Sequence, residues 1–117
     1  MNLYHCMIEL KRDAQALAFA SATEHWLSGL ASRGLIGEWK LFRRKFGLAS
    51  AQHSDMILTI EVEDMAQLES AFRSLADAGS PADQKYYDLM HDMIGQLAVG
   101  LYRPYPDPTQ RESVALV

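Results

Sequence analysis

The sequence predicts an α+β domain: a four-stranded antiparallel sheet, helices on one face, elements in the order β-α-β-β-α-α-β. Three observations carry this. The stretch DMILTIEVE at residues 55–63 sets Met56, Leu58, Ile60 and Val62 against Ile57, Thr59, Glu61 and Glu63, the period of two of a strand. A second alternating stretch opens the chain at residues 2–10. Elsewhere apolar residues recur at spacings of three and four, from Phe19 to Leu30 and from Met65 to Leu75, as amphipathic helices require. A split β-α-β with strand order 4-1-3-2 is the economical way to join them.

In the first strand Tyr4, Cys6, Ile8 and Leu10 share one face, and Leu3, His5, Met7 and Glu9 the other. Asp13 is placed as the N-cap of a helix reaching about Ser32, its carboxylate accepting from otherwise orphaned N–H groups. Phe19, Ala22 or Thr23, Trp26 and Leu30 form that helix's stripe, which Leu27 widens. Gly34 takes the position after the helix, where a positive φ costs it nothing. Residues 35–44 read as the second strand, with Trp39 and Leu41 on one face and Ile36, Glu38, Lys40, Phe42 and Arg44 on the other. Residues 45–54 connect it to the central strand.

Asp64 caps the next helix, and Gln67 three residues on completes a capping-box pattern. Met65, Leu68, Phe72 and Leu75 form its stripe, and Gly79 ends it. Ser80 and Pro81 open a third helix, with Asp83 near its positive end. Tyr86, Met90, Met93 (or Ile94) and Leu97 are expected on its inner face. Gly95 and Gly100 discourage further helix and place the fourth strand at about residues 98–103. The ending PYPDP fixes an extended turn. Residues 1–108 are expected to form a single domain and 109–117 a mobile tail.

A chain of 117 residues, 49% apolar and 22% charged, suits one folded domain and excludes disorder. A formal charge of −4 speaks against nucleic acid. Arg43, Arg44 and Lys45 are the strongest basic cluster, but strand alternation sends the two arginines to opposite faces. An RNA-reading sheet of this element order needs adjacent exposed aromatics, where residues 55–63 offer acids instead. The single cysteine, Cys6, excludes an internal disulfide and a cysteine metal cage, and its place in the alternation makes it a buried strand residue. No apolar run approaches the ~20 residues of a membrane span. The N-terminal stretch reads as a strand rather than a signal peptide, so a cytoplasmic location is expected. No Gly-rich phosphate loop, G-x-S-x-G or catalytic Cys–His set is present, and no cofactor is expected.

The sheet face away from the helices is more apolar than a solvated face should be: Leu3, Met7, Ile36, Phe42 and Ile57 stand among Glu9, Lys40, Arg44 and Glu61. A second copy of the chain is expected to cover it, giving a homodimer. The order and pattern of elements resemble the dimeric α/β-barrel superfamily, ferredoxin-like domains whose two sheets close into a barrel. That group includes antibiotic-biosynthesis-type monooxygenases, muconolactone isomerases and stress-response dimers. The stretches GLIGEWKLFRRKFGLA (34–49) and LYRPYPDP (101–108) resemble more narrowly a small bacterial family of unknown function. The resemblance implies the fold and the dimer. No catalytic motif of the superfamily maps onto this chain, so no catalytic role is carried over.

Tyr4, Trp26, Trp39 and Tyr86 are expected to converge between sheet and helices as an aromatic-lined pocket suited to a flat apolar ligand. Two histidines are candidates for proton transfer. His5 lies mid-strand on the face a partner would desolvate, and His91 lies five residues beyond Tyr86 at the pocket mouth. Asp88, His91 and Asp92 put potential ligands on one turn of helix, but a solvated face is the commoner meaning and no metal site is expected. His25 sits on the first helix beside Glu24, and His53 in the β–β connection.

Two functions follow. One is a cofactor-independent enzyme, monooxygenase- or isomerase-like, acting on a small apolar or aromatic molecule, with His5 or His91 moving a proton. The other is a non-catalytic dimer that binds a small molecule or a protein, which accounts equally well for the lack of a compact acid/base constellation.

Overall fold

Alternation in the opening residues makes β1 (Asn2–Leu10) a central strand, and both its edges are used. In the computed structural model, which describes residues 1–45, 53–76 and 81–106, β1 pairs antiparallel with β3 (Met56–Val62) on one side and β4 (Ile94–Tyr102) on the other. The edge strand β2 (Trp39–Arg43) pairs with β3, giving the order β2-β3-β1-β4, the predicted 4-1-3-2 read from the other end. Three helices follow the predicted sequence: α1 (Ala16–Ser32), α2 (Met65–Ala76) and α3 (Pro81–Asp92). The architecture is the ferredoxin-like α+β fold.

Register decides what the helices cover. Cys6 faces Leu58 across one ladder and Val99 across the other, and directly opposed residues share a face. Tyr4, Cys6 and Ile8 therefore join Met56, Leu58 and Ile60 beneath the helices. Phe19 and Leu27 of α1 are wholly buried on this layer, each contributing about 1.5–3 kcal/mol by leaving water. Gly34 has a φ of 73° and closes α1: its N–H bonds to Ala31 and that of Leu35 to Leu30, both at 3.0 Å, the paired bonds of a Schellman ending. Before α2, Asp64 Oδ1 accepts from the Gln67 N–H at 2.8 Å, and Gln67 Oε1 accepts from the Glu63 N–H at 2.6 Å. This is the expected reciprocal cap, reaching back one residue further than the usual box.

Four expectations are corrected. Asp13 is not the N-cap of α1: it begins a short 3-10 turn (Asp13–Gln15), α1 starts at Ala16, and no side chain caps it. The exposed Asp13 carboxylate instead accepts from Arg43 on β2 at 3.1 Å, where full opposite charge replaces an amide donor. The second strand is shorter than residues 35–44, and Ile36 is a core residue, not an open-face one. Gly37 is the cause. A Cβ there would come within 3.1 Å of the Glu61 carbonyl, and its N–H bonds to that carbonyl at 2.7 Å. The close approach bends the chain before the ladder begins, so alternation counted back from Trp39 fails at Ile36.

The fourth strand begins at Ile94, about four residues earlier than the glycines suggested, and Leu97 belongs to β4 rather than to a helix. Finally, Met65 is exposed and Phe72 only partly covered, while Leu68, as expected, and Ala71, which the stripe omitted, are buried on the inner face of α2. The expected roles of Gly79 and Ser80 and the mobile tail at 109–117 lie outside the described residues.

One ion pair ties α1 to α3: Arg33 donates to the carboxylate of Asp83, which is buried at the start of α3. Gly29 makes room for it, since a Cβ there would lie 3.0 Å from Asp83 Oδ1. On the far side of the sheet, Leu3, Met7 and Ile57 are half-buried, while Phe42 and Tyr102 are more than half exposed. On the helix side, Leu97, Val99 and Leu101 of β4 are also exposed.

Candidate functional site

Packing of α1 against α3 leaves α2 touching the sheet chiefly through β3, and a cavity of about 240 Å³ lies between these elements. Its floor is Tyr4, Cys6 and Ile8 of β1 with Leu58 and Ile60 of β3. Each helix contributes one turn of side chains: Trp26, Leu27 and Leu30 from α1, Leu68, Ala71 and Phe72 from α2, Tyr87, Met90 and His91 from α3. Residues three and four apart share a helix face, so each trio converges on the same space. Ala71 is the small residue opposite the sheet. The size suits a ligand of few atoms, just under the ~300 Å³ at which drug-sized sites begin.

Polar groups are few and aromatic. Tyr87 is central to them: its ring lies 5.0 Å from Trp26 in an edge contact and 3.9 Å from His91. His91 Nδ1 lies 3.3 Å from the Tyr87 carbonyl one turn earlier. Tyr4 meets Phe72 edge-on at 5.8 Å. Trp26 is only 4% exposed, and its Nε1–H is buried with no hydrogen-bond partner. A second buried group without a partner, Thr23 Oγ1, lies one turn away on α1 and does not line the cavity.

Burial pushes the Cys6 thiol up to about 11. Burial, and then the neighbouring Cys6 and Tyr87, raise the Tyr4 phenol, while burial and then Asp88 raise Tyr87. At neutral pH all three keep their protons and present O–H or S–H. Among the described residues no Asp, Glu, Lys or Arg lines the cavity.

The predicted site residues divide. Tyr4, Trp26 and His91 are brought together at the cavity. Trp39 is not: it stands on the edge strand β2 beside Ala20 and Leu41, outside the space α1 encloses. Tyr86 also faces elsewhere, stacking on His25 with ring centroids 4.7 Å apart. His5 is on the opposite face of the sheet, edge-on to Tyr102 at 5.6 Å. Tyr102 reaches it by folding over Gly100, where a Cβ would lie 3.0 Å from the ring.

Sequence reasoning missed Tyr87. It ran the α3 stripe through Tyr86 to Leu97, whereas the helix ends at Asp92 and the inward set is Asp83, Tyr87 and Met90. Gly95, read as the stop, would have shortened the stripe and favoured the correct phase. Among the described residues no group of three or more His, Cys, Asp or Glu is placed to hold a metal ion, and no helix is long and apolar enough to cross a membrane.

A four-stranded sheet of this order, backed by helices over one apolar cavity, defines a ferredoxin-like α+β domain. The chain belongs to a family of unknown function, DUF6614, whose family model matches residues 1–117. No curated protein matches it in sequence. Solved structures do match in shape. A dimeric ferredoxin-like protein of unknown function from a Jannaschia species has a TM-score of 0.63 at 16% identity, over 89% of this chain and 100% of that one. A dimeric ferredoxin-like protein of unknown function from Bacteroides fragilis has a TM-score of 0.59 at 10% identity, over 86% and 93%. An antibiotic biosynthesis monooxygenase has a TM-score of 0.61 at 13% identity, over 91% and 100%. Identities this low establish a shared fold and nothing about activity.

Proposed function

We propose that this protein binds a small, largely apolar or aromatic molecule in the cavity between sheet and helices, as a homodimer joined through its open sheet faces into a dimeric α/β barrel. The cavity itself carries the ligand reading: apolar walls and an aromatic cluster of Tyr4, Trp26, Phe72, Tyr87 and His91 enclose the space. Support for the dimer comes from the apolar open face, where Met7, Ile57 and Phe42 stand in register across three strands and Leu3 shares the face, and from the dimeric structural neighbours. Light scattering at micromolar concentration is expected to give twice the chain mass, and Phe42→Lys to lower it. A native monomer refutes the dimer. A cytoplasmic location accords with a free cysteine, which stays reduced there.

In the catalytic form of this reading the reaction is cofactor-independent and monooxygenase- or isomerase-like, as the monooxygenase neighbour encourages. Tyr4, Trp26 and Tyr87 hold the substrate. His91, whose imidazole lines the cavity, moves the proton in preference to His5, which belongs to the proposed dimer face. The non-catalytic alternative is favoured by the lack of a carboxylate among the described residues of the lining. Incubation with a panel of small aromatic ketones and phenols under air, followed by mass spectrometry, separates the two. Turnover that disappears in His91→Gln while binding persists supports catalysis. Compounds that bind and return unchanged support the binding module, and a panel that neither binds nor turns over overturns the ligand reading.

A further inference from the structure

Resting on that reading of the cavity as a ligand site, we infer the build of its ligand: a ring held in the cavity, carrying an unbranched alkyl chain that leaves it and lies along β4. Register supplies the geometry. Leu97, Val99 and Leu101 stand directly opposite Ile8, Cys6 and Tyr4, the β1 residues of the cavity floor. They therefore share its face one strand further out, about 4.8 Å away. Leu97 lines the cavity yet is 44% exposed, as is Leu101, and Val99 between them is 54% exposed. The floor thus continues outward as an apolar shelf. Phe72 marks where the two meet: it lines the cavity, lies edge-on to Tyr4 at 5.8 Å and is 42% exposed.

The shelf suits a hydrocarbon chain. From Ile94 to Tyr102 the strand carries no charged residue, so it offers nothing to an ionic substituent. Covering three large apolar side chains left in water is favourable for any chain that needs no hydrogen bonds of its own. A space of about 240 Å³ lies below the ~300 Å³ of drug-sized sites, so a ring with a long chain must extend beyond it. From Leu97 to Leu101 the shelf runs roughly 13 Å, four steps of about 3.3 Å. The proposed dimer uses the opposite face of the sheet, where Met7, Ile57 and Phe42 stand, so partner and alkyl chain do not compete.

A series of phenyl ketones tests this, with chains from methyl in acetophenone through propyl and pentyl to heptyl in octanophenone. Equilibrium dialysis against the native protein, below the solubility limit of each ketone, measures the affinities. Each methylene is expected to tighten binding about twofold, half the free energy of full burial, because one side of the chain stays in water. Octanophenone should then bind about sixtyfold tighter than acetophenone. Val99→Glu puts a carboxylate in the middle of the shelf, on an edge strand of the kind that natural sheets charge freely. There the span is expected to shrink below about tenfold. Should that variant not fold, Val99→Thr, nearly isosteric and favoured in strands, replaces it, with the span expected to fall about twofold. Affinity that stays flat or falls with chain length while acetophenone binds refutes the shelf and leaves the cavity as a ligand site. An undiminished span in the Val99 variant also refutes it, since the chain then lies elsewhere. Failure of every ketone to bind overturns the inference and the ligand reading together.

Discussion

Replacing Ala71 with leucine tests whether the cavity is real in solution. Ala71 is 4% exposed, lies on the inner face of α2 and lines the cavity opposite the β1–β3 floor. Leucine adds three carbons to a space of about 240 Å³, which accepts them without displacing the sheet. At about 0.8 kcal/mol per buried carbon the gain approaches ~2.4 kcal/mol. Fixing the new side chain's rotamers removes about 0.5–1 kcal/mol. A net gain of about 1–2 kcal/mol remains, equivalent to a rise in Tm of roughly 4–8 °C for a domain of this size. Thermal unfolding followed by circular dichroism measures it, with Ser70→Leu on the exposed neighbouring position as the control for helix propensity. The same variant should weaken at least tenfold any small aromatic compound that the native cavity binds, since the added carbons fill its place. In an already filled interior the substitution overpacks and costs about 1–3 kcal/mol. A fall in Tm, with ligand binding unchanged, refutes the cavity.

Asp64→Ala removes the acceptor for the Gln67 N–H and should destabilise the domain by about 0.5–2 kcal/mol in urea unfolding; Asp64→Ser should restore most of it. A double-mutant cycle of Arg33→Met and Asp83→Asn should give a coupling of about 1 kcal/mol, less than a buried pair yields because Arg33 is 40% exposed; no coupling would mean that the link between α1 and α3 carries no stability. Cys6 contributes a pH dependence of known sign. Its folded pKa, about 11, lies above the ordinary 9.0, so its contribution is whole below about pH 9 and is lost as pH rises through 11. Tyr4 and Tyr87, also raised, act in the same direction above pH 10. Urea unfolding between pH 8 and 11 should show Cys6→Ala with a shallower alkaline decline than the native protein; parallel curves would contradict the buried thiol.

Periodicity by itself determined much of this protein. Strict alternation in residues 2–10 and 55–63 fixed the two central strands and the side chains they bury. Stops and caps legible in single residues, Gly34 and the Asp64–Gln67 pair, placed helix ends to within a residue. These signals survive in sequence because they are local: each concerns groups within one turn or one pleat. Tertiary structure decided whatever depended on approach between distant segments. Ile36 enters the core because Gly37 is pulled against Glu61, twenty-odd residues away, and Asp13 leaves its helix for Arg43 on another element.

The site divides along the same line. Tyr4 and Trp26 lie on elements whose phase was unambiguous, and both line the cavity. Tyr86 and Tyr87 are neighbours about 100° apart around α3, so a small error in helix phase exchanges one for the other. Trp39 was legible as an inward-facing residue of an edge strand, but not as one lying beyond the cavity. Facing inward is a property of a residue and its neighbours in sequence. Standing over the cavity between the helices and the sheet is a property of how α1, α2 and α3 share that sheet.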